Sequence, residues 1–421
     1  MPQPNYKSTL RACCLGYVTQ AAVVNLAPLL FVIFQNRYGL SFTMIGSLVL
    51  FNFVVQLSVD AISIKFVDRI GYRASVMIAH GFSAAGLLLL GILPGIMPAY
   101  AGMLIAVFLY AIGGGLIEVL ISPIVDSLPG DAKASTMSLL HSFYSWGQVV
   151  VVALSTLLLQ LIGHDLWFLL PMLWAILPVA NLFYFLRVPL IPPVEEAHRI
   201  PLKKLLTSRI FVVAMLLMVC SGAAEQAMSQ WASLFVETGL GISKVLGDLL
   251  GPCIFAVMMG IGRTLYGTRG QKLNLQKALS ASAVLCIVSY LLTALVPIPA
   301  VALLGCALCG LSVSLMWPGM LSLSSAGYPT GGTAMFAILA LCGDLGCSAG
   351  PWLTGLVSDA AQNSSAIVNW GAGMGNDPAQ AGLKIGLLAA IVFPLIMLFG
   401  ILYMRRQLGR AKQLANTGEC P

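Results

Sequence analysis

The stretch GGGLIEVLISPIVDSLPGDAKASTMSLLHSFYSWGQ, residues 113–148, decides how the chain is interpreted. Glu118 lies in an apolar run from about residue 99 to about residue 127, and a membrane-spanning helix needs only ~20 such residues. A charged carboxylate in hydrocarbon is costly unless it is paired, so an acid here marks a functional position. His141 follows in the next apolar run and shares a helix face with Gln148. Two adjacent predicted spans therefore carry polar side chains into the membrane.

The composition of the whole chain indicates a membrane protein. Of its 421 residues, 59% are hydrophobic and 9% are charged, and the mean hydropathy is +0.93. Soluble domains carry about 25% charged residues, so little of this chain is expected outside the bilayer. The ten cysteines are scattered through apolar runs without paired spacing, which predicts buried core residues and neither disulfides nor a metal site.

The hydrophobic runs predict an all-α polytopic membrane protein with twelve transmembrane helices, so both termini face one side. Of the 22 Lys and Arg residues, 19 then lie on the side that carries both termini. The opposite side keeps three, which are Arg37, Lys244 and Lys384. The positive-inside rule makes the basic side cytoplasmic. The net charge of +7 thus reflects orientation and predicts no nucleic-acid binding. We expect a multi-pass protein of the cell (inner) membrane. The predicted spans are 10–35, 43–66, 75–94, 98–127, 134–162, 166–187, 209–237, 244–266, 275–296, 299–324, 332–360 and 381–404.

The chain divides into two halves of six spans each. The charged, proline-rich segment 188–208 lies near the midpoint and is predicted to be a cytoplasmic linker. It separates an N-terminal half (1–187) from a C-terminal half (209–408), and a cytoplasmic tail follows at 409–421. Residues of the two halves match at a constant offset, as in transporters with duplicated halves. The matching residues are Gly115, Pro123, Ser127 and Leu128 with Gly310, Pro318, Ser322 and Leu323.

The loop after the second predicted span carries the sequence IKFVDRIGYR at 64–73. Four of its residues match the motif Gly-x-x-x-Asp-Arg-x-Gly-x-Arg, namely Asp68, Arg69, Gly71 and Arg73. Ile64 stands in place of the first glycine. With twelve spans and two related halves, the chain resembles the major facilitator superfamily. The resemblance implies two six-helix halves and a cytoplasmic latch at this loop, with Asp126 as a candidate partner of Arg69 or Arg73. A solvated turn with ordinary charges is the alternative.

Within that superfamily, the chain is similar to the fucose/galactose–proton symporter branch. Glu118 and Pro123 match that branch in span four, and Glu225 and Trp231 match it in span seven. Further matches in spans ten and eleven are Trp317-Pro318, Gly343, Gly346, Pro351 and Trp352. The resemblance implies that Glu118 takes part in proton coupling. The branch has an Asp in its first span, whereas residues 11–35 contain no acid here. Coupling and solute orientation are therefore left open.

Glu118 and His141 are the candidates for proton coupling, because both can bind and release a proton inside the membrane. For Glu118 the alternative is a hydrogen bond to the solute or to a neighbouring helix. For His141 the alternative is a structural histidine that donates to a backbone carbonyl.

The candidate solute-binding residues combine amides, carboxylates and indoles, since a pocket for a polar solute needs a few placed polar groups in apolar surroundings. They are Asn25, Glu118, His141, Gln148, Glu225, Trp231, Trp317 and Asp344. An indole can stack on the apolar face of a sugar ring while carboxylates and amides bind its hydroxyls. Two alternatives stay open: Trp231 as an aromatic of the membrane interface, and Asp344 as half of a structural pair.

The candidate gate residues are charged and lie near the cytoplasmic ends of the predicted spans. They are Asp60, Asp68, Arg69, Arg73, Asp126 and Arg263. Asp60 follows Asn52 and Gln56 at a spacing of four, so the three share one helix face. That face is either a cavity wall or gate, or a site of interhelical hydrogen bonds.

These features predict a secondary transporter that moves a small polar solute by alternating access with proton coupling. A sugar is the favoured solute. An exporter or antiporter of drugs or metabolites is the alternative. An enzyme is disfavoured because no His-Glu-x-x-His or nucleophile–base motif occurs, and a receptor because no signalling domain occurs. No phosphate-binding Gly-x-x-x-x-Gly-Lys-Ser/Thr loop occurs, so we expect no ATP-driven step and no cofactor. The expected partners are the solute, protons and the lipid bilayer, with the chain as a monomer.

Overall fold

The computed structural model describes residues 6–40, 42–194, 200–240, 249–373 and 378–417. Helices and short connections make up these residues, and no strand occurs among them. Within the described residues, twelve helical segments are long and apolar enough to cross a membrane. The predicted all-α architecture with twelve spans is therefore confirmed.

The helices differ in length, and several spans are built from two consecutive helices. In chain order they are α1 (Tyr6–Leu29), α2 (Phe31–Tyr38), α3 (Phe42–Ile70), α4 (Tyr72–Ile96), α5 (Ala99–Ser127), α6 (Lys133–Ile162), α7 (Leu169–Arg187), α8 (Leu202–Thr207), α9 (Arg209–Leu240), α10 (Ile254–Arg269), α11 (Leu275–Leu295), α12 (Pro299–Val313), α13 (Met316–Gly327), α14 (Gly332–Gln362), α15 (Ser365–Ala372), α16 (Pro378–Ala390) and α17 (Val392–Thr417).

Contacts divide the chain into two compact units. Unit 1 comprises Met1–Ile200 and Tyr328–Leu341, and unit 2 comprises Pro201–Gly327 and Cys342–Pro421. The main boundary lies within the predicted linker 188–208, and the first ten residues of α14 belong to unit 1. Residues 195–199 of the predicted linker, the end of the predicted tail at 418–421, and Lys244 at the start of the predicted span 244–266 lie outside the described residues.

Glycines on α5 allow the helices of unit 1 to approach closely. A Cβ on Gly113 would lie 2.5 Å from the backbone nitrogen of Ser83 on α4. A Cβ on Gly115 would lie 3.2 Å from Val59 Cβ on α3. Small residues permit such backbone contacts between membrane helices. The glycine run of α5 therefore sets the positions of the polar residues that follow it.

The N-terminal part of α14 packs within unit 1. Ala337 and Ala340 form a buried cluster with Val119, the residue after Glu118 on α5. Thr333 Oγ1 donates a hydrogen bond of 3.0 Å to the hydroxyl of Tyr72 at the start of α4. This part of α14 therefore covers α5 next to Glu118.

The turn between α3 and α4 depends on Gly71, which matched the superfamily motif. Its φ of +83° is in the left-handed region. A side chain there would be strained, whereas glycine adopts this region at no steric cost. The motif glycine is thus explained by backbone conformation.

Unit 2 has comparably close helix contacts. Gly343 of α14 lies against the indole ring of Trp317 on α13, and Gly222 of α9 lies against the backbone of Gly343. The hydroxyl of Tyr290 on α11 donates 2.8 Å to the carbonyl of Ala224 on α9. These contacts hold α9, α11, α13 and the second part of α14 together within unit 2.

Candidate functional site

Glu118 lies on α5 in unit 1, one turn beyond the glycine run. Its side chain is half-buried, and the amide of Gln20 on α1 donates to it, with 3.2 Å from Gln20 Nε2 to Glu118 Oε2. Gln20 itself is 3% exposed. A carboxyl in a membrane-spanning helix thus has a fixed polar neighbour from another helix, as intramembrane acids require.

Three further polar side chains form a cluster one turn along α5. The hydroxyl of Tyr17 lies 2.9 Å from Ser122 Oγ and 3.2 Å from His141 Nε2, and Ser122 Oγ lies 3.3 Å from the same nitrogen. All three residues are buried. A neutral His141 can accept at Nε2 from a hydroxyl, and a protonated His141 donates there. The cluster can therefore hold an additional proton by rotating its hydroxyl groups.

Gln20–Glu118 and Tyr17–Ser122–His141 are adjacent along the same helices. Ser122 is four residues after Glu118 on α5, and Gln20 is three residues after Tyr17 on α1. Residues at these spacings lie on one helix face. We call the five residues the polar track. It connects α1, α5 and α6 within unit 1.

The structure thus places two of the candidate residues, Glu118 and His141, on one track and adds three that the sequence analysis did not select. Tyr17, Gln20 and Ser122 gave only a weak signal in the sequence. Ser122 follows Glu118 by four, and Tyr17 and Gln20 share a face of the first span. Because helix spacing does not say which helices are neighbours, that signal could not connect α1 with α5.

Asn25 and Gln148 are the other unit 1 candidates for solute binding. Asn25 is half-buried on α1, and its Nδ2 donates 2.9 Å to the carbonyl of Ala21 on the same helix. Gln148 is half-buried on α6, seven residues after His141. Their roles in solute binding stay predictions.

The predicted polar face of α3 is buried in unit 1. The exposed fractions of Asn52, Gln56 and Asp60 are 8%, 3% and 0%. Such side chains are expensive in hydrocarbon unless they face other helices or a cavity. The burial agrees with a wall or an interhelical contact, and the assignment of Asp60 to a gate stays a prediction.

The segment 64–73, predicted as a loop, forms the end of α3, the turn at Gly71 and the start of α4. Arg73 of this segment has local contacts in unit 1. The guanidinium of Arg73 donates to the backbone carbonyls of Phe185, Leu186 and Val188 at 2.6, 2.7 and 2.9 Å. It thereby caps the C-terminal end of α7, where carbonyls have no intrahelical partner.

The other predicted gate residues of unit 1 lie around this end of the helices. Arg69 is exposed, and Asp68 and Asp126 are half-buried. Lys133 Nζ donates to the backbone carbonyls of Asp126 and Leu128. Asp126 was the candidate partner of Arg69 or Arg73, and its pairing with either arginine stays a prediction.

Unit 2 contains a buried ion pair formed by Glu225 on α9 and Arg263 on α10. Arg263 Nη2 lies 3.4 Å from Glu225 Oε2, and Arg263 Nε donates 3.1 Å to the carbonyl of Ser314. The side chain of Arg263 is 4% exposed and that of Glu225 is 11% exposed. The sequence analysis assigned Glu225 to the solute and Arg263 to a gate, and the structure brings the two together.

The remaining candidates, Trp231, Trp317 and Asp344, also lie in unit 2. Trp231 is half-buried, and its indole Nε1 donates 3.2 Å to the carbonyl of Pro351 on α14. Trp317 is 9% exposed, and its indole ring covers Gly343. Asp344, the residue after Gly343, is 7% exposed. Among the described residues, no group of three or more His, Cys, Asp or Glu could hold a metal ion.

Comparison with known proteins identifies a family that the chain matches. Residues 13–351 match the family model described as Major Facilitator Superfamily. No curated protein sequence matches the chain.

Solved structures match over nearly the full length. The fucose:proton symporter of E. coli is 18% identical, with a TM-score of 0.74, covering 94% of this chain and 98% of that one. A proton:xylose symporter is 14% identical, with a TM-score of 0.76 and 95% coverage of both chains. The human organic anion transporter MFSD10 is 14% identical, with a TM-score of 0.70, covering 95% of this chain and 100% of that one. Likeness at this level of identity concerns the fold.

Proposed function

We propose that this chain, which belongs to the major facilitator superfamily, is a proton-coupled transporter of a small uncharged polar solute such as a monosaccharide. The family and the fold are those of transporters, and the chain is a multi-pass membrane protein. The observation that carries the finer proposal is Glu118, a carboxyl within a span that receives a hydrogen bond from Gln20 beside the Tyr17–Ser122–His141 cluster.

The chemistry of the polar track supports proton coupling. Glu118 can bind and release a proton as its exposure to the two sides of the membrane alternates during transport. His141 on α6 contacts Ser122, which is one turn from Glu118 on α5, and offers a second group that can hold that proton. Hydroxyls of Tyr17 and Ser122 connect to it at 3.2 and 3.3 Å. Solute binding and protonation are coupled when each changes the affinity of the protein for the other.

The buried charge of Arg263 in unit 2 does not by itself call for an anionic solute. The guanidinium of Arg263 is an attractive site for an anion, but Glu225 already compensates its charge at 3.4 Å. Indoles such as Trp231 and Trp317 suit the apolar face of a sugar. The fucose and xylose symporters with similar folds are consistent with a sugar.

The orientation is part of the proposal. Both termini would lie in the cytoplasm and the chain in the inner membrane, because 19 of the 22 basic residues then face the cytoplasm. A reporter fused after Leu408 should read out as cytoplasmic. An external readout would contradict this orientation.

The deciding experiment uses purified protein in liposomes with a proton gradient. Sugars, nucleosides and drugs are first screened for ligand-dependent stabilisation, since any solute that binds the folded protein raises its stability. The solute found is then tested with Glu118→Gln, which keeps the size of the side chain and cannot titrate. We expect Glu118→Gln to lose uphill uptake and to retain exchange of solute between compartments.

The matched control is Asp359→Asn, which makes the same chemical change at an exposed carboxylate on α14. It should transport like the wild type. If Glu118→Gln still concentrates solute with wild-type pH dependence, Glu118 is not the coupling group. Solute movement outward against its gradient, or a preference for drugs, would favour the exporter or antiporter instead.

A further inference from the structure

Gly114 has different neighbours from the two glycines beside it. A Cβ on Gly114 would lie 2.9 Å from Gln20 Oε1 on α1 and 3.0 Å from Gln56 Nε2 on α3. Gly113 faces Ser83 and its backbone, and Gly115 faces Val59. Close helix packing therefore accounts for Gly113 and Gly115. At Gly114 a Cβ would meet the polar ends of two amide side chains and, at 3.1 Å, the side chain of Val23 on α1.

Those two amide atoms are buried and have no partner among the described residues. Gln20 and Gln56 are each 3% exposed, and neither Gln20 Oε1 nor Gln56 Nε2 makes a hydrogen bond. The other end of the Gln20 amide is occupied, because Nε2 donates to Glu118. Buried polar groups are nearly always hydrogen-bonded, so two unpartnered atoms at one place are where a polar group from a solute or a water molecule would bind.

The two atoms are complementary to one chemical group. Both lie within about 3 Å of a single point, so they are at most about 6 Å apart, which is the span of two hydrogen bonds meeting at one oxygen. Gln20 Oε1 can only accept and Gln56 Nε2 can only donate. A hydroxyl does both at once, since its proton goes to Oε1 while its oxygen accepts from Nε2. A carboxylate, an ammonium or a methyl group would leave one amide atom unpaired.

We propose that Gln20, Gln56 and Gly114 form a subsite for one hydroxyl group of the transported solute. This inference rests on the proposed transport of a polar solute and assigns a substrate contact within it. Gly114 permits the subsite, because a Cβ there would lie within about 3 Å of both amide atoms. Gln20 is the positioning residue that links the bound hydroxyl to Glu118 through the opposite end of its amide.

A third unpartnered atom lies next to the subsite and favours a solute with several hydroxyls. Asn52 Oδ1 is buried without a hydrogen bond to the described residues, and Asn52 precedes Gln56 by four residues on α3. That spacing places it on the same face, about 6 Å along the helix. A polyol such as a sugar can reach both positions, whereas an alcohol with one hydroxyl reaches only one.

The test measures how strongly single hydroxyls contribute to binding. The probes are L-fucose and D-xylose, together with analogues that lack one hydroxyl each. Each is tested as an inhibitor of sugar uptake into liposomes. In the wild-type protein one deoxy position should weaken inhibition about tenfold or more, because a site built for a hydroxyl rejects the analogue that lacks it. With Gln56→Met, which keeps the length of the side chain without the amide, parent and analogue should inhibit equally.

Gly114→Ala tests the space itself, and Gly115→Ala is its matched control. Both changes add one methyl group to the same turn of α5. The methyl at Gly115 meets Val59 at 3.2 Å and makes an ordinary contact with Gln56 Cα at 3.4 Å, and only the methyl of Gly114→Ala reaches the amide ends. We expect Gly114→Ala to weaken inhibition by the parent sugars about tenfold and to abolish discrimination against the deoxy analogue. Gly115→Ala should discriminate like the wild type. Folding of every variant is checked by size-exclusion chromatography and thermal unfolding.

Several results would overturn the subsite. If Gln56→Met discriminates among all analogues as the wild type does, no hydroxyl is bound there. If the variants weaken every sugar equally and the wild type ignores every single deoxy change, a water molecule rather than the solute fills the space. If the wild type transports the sugars and Gly114→Ala behaves like Gly115→Ala, the subsite alone is wrong. If the wild type binds none of these sugars or any other hydroxylated solute, the proposed function fails and the subsite with it.

Discussion

Glu225 and Arg263 form an ion pair inside unit 2, with 3.4 Å between Glu225 Oε2 and Arg263 Nη2 and only 11% and 4% of the two side chains exposed. Two charges taken out of water are stable there because each compensates the other. Arg263 also donates to the carbonyl of Ser314, so the pair connects α9 and α10 with the end of α12. We therefore expect the stability of unit 2 to depend on both partners of this pair being present.

Replacing one partner of the ion pair should destabilise the protein more than replacing both partners. We expect Arg263→Met to lower the free energy of unfolding by about 3 kcal/mol, because Glu225 is left buried without its partner. The double variant Glu225→Met/Arg263→Met should recover much of that loss. Thermal or denaturant unfolding in detergent measures both.

The exposed pair of Arg37 and Asp165 is the control. Its atoms are closer, at 3.1 Å, but the side chains are 44% and 99% exposed. Arg37→Met should leave stability nearly unchanged, because solvent screens such a pair. Equal effects of Arg37→Met and Arg263→Met would show that burial does not determine how much these two ion pairs stabilise the fold.

Arg73 should stabilise the end of α7. Arg73→Ala removes three hydrogen bonds to backbone carbonyls and should cost about 1–2 kcal/mol, allowing for the exposure of this end of the helix. Arg73→Lys should recover only part of the loss, since an ammonium lacks the planar fork of a guanidinium. Unfolding in detergent is the measurement, and Arg69→Ala, at an exposed arginine of the same loop, is the control. Should Arg69→Ala be as destabilising as Arg73→Ala, the cap does not explain the effect.

Tyr17 should affect the proton dependence of transport through its contacts with His141 and Ser122. Tyr17→Phe removes the hydroxyl that lies 3.2 Å from His141 Nε2 and 2.9 Å from Ser122 Oγ. We expect uptake to fall several-fold and its pH dependence to change, because the cluster loses a group that can accept from or donate to the imidazole. Uptake measured across a series of pH values tests this.

Tyr110→Phe is the matched control for that change. Tyr110 lies on α5 in the same unit, is 4% exposed and makes no hydrogen bond through its hydroxyl within the described residues. It should keep the wild-type pH profile. If Tyr17→Phe also keeps the wild-type pH profile of uptake, the Tyr17–Ser122–His141 cluster does not bind the coupled proton.

Gly343 should be needed for the position of Trp317. A Cβ on Gly343 would overlap the indole ring, so Gly343→Ala should force the indole aside and cost about 1–3 kcal/mol. Combining it with Trp317→Phe, which removes part of the ring system, should restore some stability. Gly327→Ala serves as the control, since nothing lies within 4 Å of a Cβ there among the described residues. If both alanine variants unfold at the wild-type temperature, the contact is not tight enough to matter.

The sequence predicted the fold well because the bilayer imposes a simple rule on it. Long apolar runs such as that of α5 must form helices, since hydrocarbon offers no partner for free backbone groups. The twelve predicted spans and the superfamily were therefore readable from hydropathy and from the motif containing Asp68 and Gly71. Gly71 was readable for a local reason, since its left-handed φ of +83° favours glycine wherever the turn occurs.

The candidate site was predicted only where one residue carried the signal by itself. Glu118 stood out because an acid within a span is rare, and His141 because it is a titratable group in the following span. Gln20, Tyr17 and Ser122 are ordinary residues until α1 and α5 are known to be neighbours. The pairing of Glu225 with Arg263 joins residues 38 positions apart on different helices, which periodicity cannot connect.

The sequence by itself therefore determined that this chain spans a membrane twelve times and which few acids lie inside the membrane, since both follow from the free energy of transferring side chains into hydrocarbon. Only the tertiary structure decided what those acids meet. Glu118 receives its hydrogen bond from Gln20, and Gly114 lies between two unpartnered amide atoms of the described residues. The physical reason is that hydropathy acts on each residue separately, whereas hydrogen bonds at about 3 Å depend on which faces of separate helices pack together.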